Sequence, residues 1–168
     1  MKTRLILWLN LLNGITNKKN KMNKKQITEG NVLIAEFIGL KRGWWISQEK
    51  PLTEDKKQWC DLDGKTFLGS RVYFDNDLNF HKLWDWLMPV VEKIELTKTL
   101  DTVHKVPVPT NVHINKSEEN DNTKLKHQCI IQQFTWDGHR IEIFGKNKIQ
   151  TVYNAVIEFI KWYNEQKK

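Results

Sequence analysis

Asp61 and Asp63 in "CDLDGKTF" (60–67) are the two side chains of this sequence with the plainest spacing for chemistry. Paired carboxylates ahead of a glycine can act as nucleophile and acid/base, or as the first ligands of a calcium loop. A calcium loop needs a glutamate at its twelfth position, and none stands there. Lys65 separates Gly64 from Thr66 and no apolar strand precedes the motif, so a solvated turn accounts for it better. A hydrolase built on this stretch would need Asp61, Asp63 and a histidine to converge in one pocket. The histidines, at 81, 104, 113, 127 and 139, are widely spread. His104 and His113 can approach on neighbouring strands, but spacing implies no third ligand. Cys60 and Cys129 stand alone, without the context of a nucleophile family. Two isolated cysteines fit a reducing cytosol better than a disulfide scaffold. The eight glycines are dispersed and form no phosphate loop. The reading is therefore of a protein that is not an enzyme, with no catalytic residue, no cofactor and no metal.

Aromatic residues carry more information. Eight tryptophans are many for 168 residues. Trp44 and Trp45 are neighbours in "GWWIS" (43–47), whose aromatic and β-branched content predicts a strand. Neighbours in a strand face opposite sides, so one of the two indoles must be covered by the 48–66 segment or by another molecule. Trp44, Trp45 and Trp59 lie near Lys41, Arg42, Lys56 and Lys57, with Glu49, Glu54, Asp55, Asp61 and Asp63 interleaved. Such a mixture suits a protein interface better than a nucleic-acid groove, because aromatics and arginine anchor while mixed charge selects. The candidate partner-binding residues are Arg42, Trp44, Trp45, Lys56, Lys57 and Trp59.

Charge supports that preference. The net charge of +7 resides in residues 1–25, which hold seven Lys/Arg and no acid. From Gln26 onward, 20 Lys/Arg meet 20 Asp/Glu, so the body is neutral. The start, "MKTRLILWLNLLNGITNKKNK", is basic with an apolar run from Leu5 to Leu12 interrupted by Asn10. It lacks a small-x-small cleavage site, and it falls far short of the roughly 18 apolar residues of a membrane span. Met22 reads as the natural start, leaving 1–21 as a leader of doubtful status and a cytoplasmic protein, in the host's bacterial cytosol.

The surrounding elements follow from periodicity. Thr28 can cap a first helix whose stripe of Leu33, Ile34, Phe37 and Ile38 ends at Gly39. Residues 48–66, with Pro51 and Gly64, predict a long loop or lid, and "RVYF" (71–74) a strand before a turn through Asp75, Asn76 and Asp77. "FHKLWDWLMPVVEKIE" (80–95) predicts a helix with Leu83, Leu87, Val90, Val91 and Ile94 in one apolar sector. Trp84 and Trp86 border that sector, roughly 80° to either side, and Pro89 falls on the polar side. Either both indoles are clamped between the sheet and another helix, or one reaches the surface as an anchor. Residues 97–112 predict one or two strands, with Pro107 and Pro109 at an edge. The polar stretch 115–126 reads as mobile. "QCIIQQFTW" and "HRIEIFG" flank Asp137-Gly138, a strong hairpin signal. A last helix over 147–164 places Ile149, Val152, Tyr153, Val156, Ile157, Ile160 and Tyr163 on one face. The expected architecture is α+β: a single domain over 22–168, with an antiparallel β-sheet packed against about three α-helices.

"LIAEFIG" (33–39), "WDWLMPVVEKIE" (84–95) and "YNAVIEFIKWYNEQ" (153–166) resemble a group of small proteins encoded by phages and mobile elements of Bacteroidota. The resemblance covers three helices and carries over no catalytic residue. It implies an α+β scaffold with variable decoration, and a non-enzymatic anti-defence protein such as an anti-CRISPR inhibitor. The implied partner is a host defence protein, an RNA-guided ribonuclease of the type VI systems with its guide RNA, whose RNA handling would be perturbed. The alternative is a small nucleic-acid-binding accessory protein of a phage. A third reading, a hydrolase, draws on a partial likeness of "CDLDGKTF" to the Asp-x-Asp-Gly-Thr loop of haloacid-dehalogenase phosphatases, from which Lys65 departs and the rest of whose large fold is absent.

Overall fold

A computed structural model of the chain describes residues 22–43, 58–60, 72–100, 107–117, 126–133 and 139–167. Helix α1 spans Lys24–Ile38 and starts five residues earlier than expected, because the cap is Asn23 and not Thr28. The Asn23 side chain accepts from Gln26 N–H at 2.8 Å, and the Gln26 side chain accepts from Asn23 N–H at 2.9 Å. This reciprocal box satisfies two donors that an open helix start would leave bare, and caps of this kind are worth about 1 kcal/mol. Thr28 instead donates its hydroxyl to Lys24 O. Gly39, at φ 99°, ends the helix in the left-handed region that favours glycine.

Three short strands follow: β1 (Lys41–Gly43), β2 (Gln58–Cys60) and β3 (Val72–Phe74). They form an antiparallel sheet in the order β1-β2-β3. The expected loop over 48–66 is thus corrected at 58–60, where cross-strand pairing on both sides makes a central strand. Residues 44–47 of the expected "GWWIS" strand lie outside the described residues. A 3-10 turn, Asp75–Asp77, closes β3.

Helix α2 spans Trp84–Leu96 and buries Leu87, Val90, Val91 and Ile94. Leu83 was expected in that apolar sector. It is instead the N-cap residue, with an extended backbone and 44 % of its surface exposed. The helix begins one residue too late for Leu83 to share its face. Pro89 lies inside the helix, where its missing N–H leaves Asp85 O, on the exposed side, without an intrahelical donor.

Residues β4 (Thr99–Leu100) and β5 (Pro107–Val108) pair as a two-stranded ribbon, which lets Pro107 sit on an edge as expected. The largest sheet is β6 (Thr110–Ser117), β7 (Lys126–Gln133) and β8 (Arg140–Gly145), antiparallel in that order. β7 and β8 pair antiparallel as the Asp137-Gly138 signal predicts, but with Gln132 opposite Arg140 and not in the register of a two-residue Asp-Gly turn; residues 134–138 and 118–125 lie outside the described residues. Residues 115–117, expected as mobile, extend β6. Among the described residues the strands are thus divided over three antiparallel sheets.

Helix α3 spans Lys148–Glu165, capped by Asn147. Of the seven stripe residues, Val152, Tyr153, Val156, Ile157 and Ile160 are buried, while Ile149 and Tyr163 pack against the core from its margin. α3 lies on β7 and β8, α2 on β6, and α1 on α3. Gly30 is needed at the last contact: a Cβ there would collide with Tyr153 Oη and Ile157 Cδ1. The result is an α+β domain in which one apolar cluster draws on all three helices, β2, β7 and β8.

Candidate functional site

The row of residues across the small sheet is Arg42, Trp59 and Tyr73, each opposite the next. Residues in register across antiparallel strands share a face, so the three side chains line up. Trp59 is only 1 % exposed. Its indole N–H donates to Asp75 Oδ1 at 2.6 Å, and Arg42 Nη2 donates to Asp75 Oδ2, also at 2.6 Å. The Arg42 guanidinium lies 5.6 Å from the centre of the Trp59 ring. One carboxylate thus serves two donors, one from the interior and one from the surface, and the guanidinium is fixed over an aromatic face.

Behind this row the aromatic contacts continue inward. Tyr73 meets Trp86 edge-on at 5.2 Å, and Trp86 meets Phe80 at 5.4 Å. Trp84, on the other flank of α2, lies under Lys148 Nζ at 5.4 Å in the first turn of α3. Both indoles of α2 pack against the core. They are joints: Trp86 ties α2 to the small sheet, Trp84 to the start of α3.

Arg42 is exposed at the outer end of the row it shares with Trp59 and Tyr73, whereas Lys41 and Phe74 belong to the opposite face of the small sheet, Phe74 being 41 % exposed because it alternates with the inward Tyr73. Of the six candidate partner-binding residues, Arg42 is exposed as a contact residue must be. Trp59 is corrected: its ring is interior, and it acts on the surface only by holding Arg42. Trp44, Trp45, Lys56 and Lys57 lie outside the described residues, as do Asp61, Asp63 and His104. By sequence Asp75, the hub, is only a turn residue. Nothing local in the sequence marks it, since its partners stand 16 and 33 positions away.

The two buried acidic side chains, the Cys129 thiol and the Tyr153 phenol, are held protonated. Burial pushes the Cys129 thiol up to about 12, so it remains protonated and poorly nucleophilic. Burial also raises the Tyr153 phenol, which donates to Ile27 O at 3.0 Å. His81 is lowered by burial and then by Lys82, and its Nδ1 stands 3.2 Å from Asn31 Nδ2. The same Asn31 amide donates to Leu78 O at 2.5 Å, tying the segment before α2 onto α1. His139, lowered by burial, stacks on Trp162 at 4.6 Å. Among the described residues no three His, Cys, Asp or Glu side chains gather as metal ligands, and no helix is long and apolar enough to cross a membrane.

The chain matches no protein-family model, no curated protein and no solved structure.

Proposed function

We propose that the protein works without catalysis, by binding another macromolecule through the surface around Arg42 on the outer strand β1 of the small sheet. The observation that carries this reading is the fixed guanidinium. Asp75 and the Trp59 ring hold it in place before any partner arrives, so little side-chain freedom is lost on docking. An exposed arginine backed by an aromatic ring is of the composition that dominates interface energetics. The Cys129 thiol, buried and protonated, is a poor nucleophile, which suits this reading.

In finer terms, the proposed role is that of an anti-defence protein from a phage or mobile element, one that docks on an RNA-guided ribonuclease effector of type VI and perturbs its handling of RNA. The helical segments 33–39, 84–95 and 153–166, with their likeness to phage-borne Bacteroidota proteins, support this choice of partner. Affinity purification of the tagged protein from cells carrying such a system should retain the effector. Target-RNA cleavage should slow in its presence, and Arg42→Glu should weaken capture at least tenfold, equivalent to about 1.4 kcal/mol. If no effector is retained and interference in cells is unchanged, the reading is wrong. Steeply salt-dependent RNA binding by the purified protein alone, lost on deleting residues 1–21, would replace it with the nucleic-acid reading.

A further inference from the structure

β8 is an outer strand of the largest sheet, paired on one side only among the described residues. Its free edge has a definite pattern. Gln133 N–H donates to His139 O at 3.2 Å, so the pair 133/139 is a bonded one. Bonded pairs recur at every second residue of an antiparallel ladder. Ile141, Ile143 and Gly145 therefore turn their main chain toward β7, and Arg140, Glu142 and Phe144 turn theirs outward. Three N–H and three C=O groups stand along that edge. The opposite edge, β6, is different: Pro107 and Pro109 precede it, and the hydroxyl of its first residue, Thr110, bonds Thr97 O.

The outward residues are self-complementary. In an antiparallel pairing of β8 with another β8 centred on Glu142, Arg140 faces the partner's Phe144, and Phe144 faces the partner's Arg140. Glu142 faces the partner's Glu142. All three outward N–H and all three outward C=O groups then find partners, which a register shifted by two residues does not achieve. Phe144, 42 % exposed in the single chain, gains a guanidinium across the strand. Each Glu142 carboxylate already binds Arg140 Nη2 at 3.1 Å and the Gln128 amide, so the two like charges meet neutralised. On the inner face Ile141 meets the partner's Ile143. Ile143 is half-buried and floors a cleft of about 640 Å³ between α1 and α3, so added apolar surface has a place there.

We infer that β8 is the dimerisation edge of this protein, joining two copies into a continuous six-stranded antiparallel sheet about a two-fold axis at Glu142. This interface is separate from the Arg42 face, and it stands or falls independently of the proposed function. Sedimentation equilibrium of the full chain should give a mass near twice 20.0 kDa. Glu142→Pro removes an N–H that points away from β7, so it should halve the mass while the helical circular-dichroism signal stays. Should that variant fail to fold, Glu142→Cys in a Cys60→Ser background decides. Facing Cα atoms in a bonded antiparallel pair stand about 5.5 Å apart, within disulfide reach, so mild oxidation should give a reducible dimer. Cys129 is buried and does not compete. A chain that stays at 20.0 kDa at every concentration, alone or with another protein on that edge, overturns the inference. So does a Glu142→Pro variant that remains dimeric, or an oxidised Glu142→Cys variant that does not cross-link.

Discussion

The two three-stranded sheets are held by opposite means. In β6-β7-β8, the rows Val112/Ile131/Ile141 and Ile114/Cys129/Ile143 are apolar throughout, and α3 lays Val152, Val156 and Phe159 into the same cluster. Stability there is shared among many contacts of modest size. In β1-β2-β3 each strand is three residues long, and one row, Arg42/Trp59/Tyr73, is organised by one carboxylate. The first arrangement tolerates the loss of any polar group on its outer face. The second depends on Asp75, because its removal orphans a buried indole N–H and frees the guanidinium at the same time. A broad apolar layer builds a scaffold, whereas a polar hub can fix the direction of a single exposed side chain.

That contrast can be broken most severely from the scaffold side. Phe159→Ala removes a ring that is 1 % exposed and packs on Phe37, Trp162 and Tyr163, and should lower unfolding free energy by about 3–5 kcal/mol. Urea unfolding followed by circular dichroism should show one earlier transition for the whole molecule. A loss under about 1 kcal/mol would mean that the cluster is not shared as described. Gly30→Ala crowds Tyr153 and Ile157 and should cost about 1–3 kcal/mol, as overpacking does. Tyr153→Phe, which deletes the colliding oxygen, should recover part of that loss.

Asp75→Ala tests the hub. An unsatisfied indole N–H costs about 1–3 kcal/mol, and the effect should stay local. Amide exchange should quicken at 58–60 and 72–74 and remain unchanged along β7. Equal quickening in both sheets would erase the distinction drawn here. Asp75→Asn keeps an acceptor for the indole and should do less harm. Arg42→Ala, which removes a half-exposed ion pair, should change stability by less than about 1 kcal/mol while weakening partner capture, separating the surface role from the structural one.

The smallest effect concerns pH. His81 has a lowered native pKa, chiefly from burial and next from Lys82, so the native state favours its neutral form. Its contribution is complete above about pH 6.5, the ordinary histidine value, and declines as the pH falls below that toward the native pKa. The urea midpoint should therefore drop slightly between about pH 7.5 and about pH 5.5, and His81→Gln should flatten that drop. His139, lowered in the same direction, should leave a remainder. An unchanged slope in His81→Gln would show that the Asn31 contact is not what senses the proton.

The sequence by itself determined the helices, the hairpin and the fold class. α3 was legible nearly residue by residue, because a 3.6-residue period and an Asn cap are encoded within one turn of where they act. The pairing of β7 with β8 was legible through two apolar runs and the Asp-Gly between them. Tertiary structure alone decided that Trp59 is interior, that 58–60 is a central strand, that Leu83 stands outside, and that Asp75 governs Arg42. Three-residue strands have too little periodicity to declare a face. Their register depends on contacts 16 and 33 positions apart in the chain. Such pairings are chosen by which rings the finished core can enclose and which donors then need an acceptor, and neither is written in any local stretch of residues.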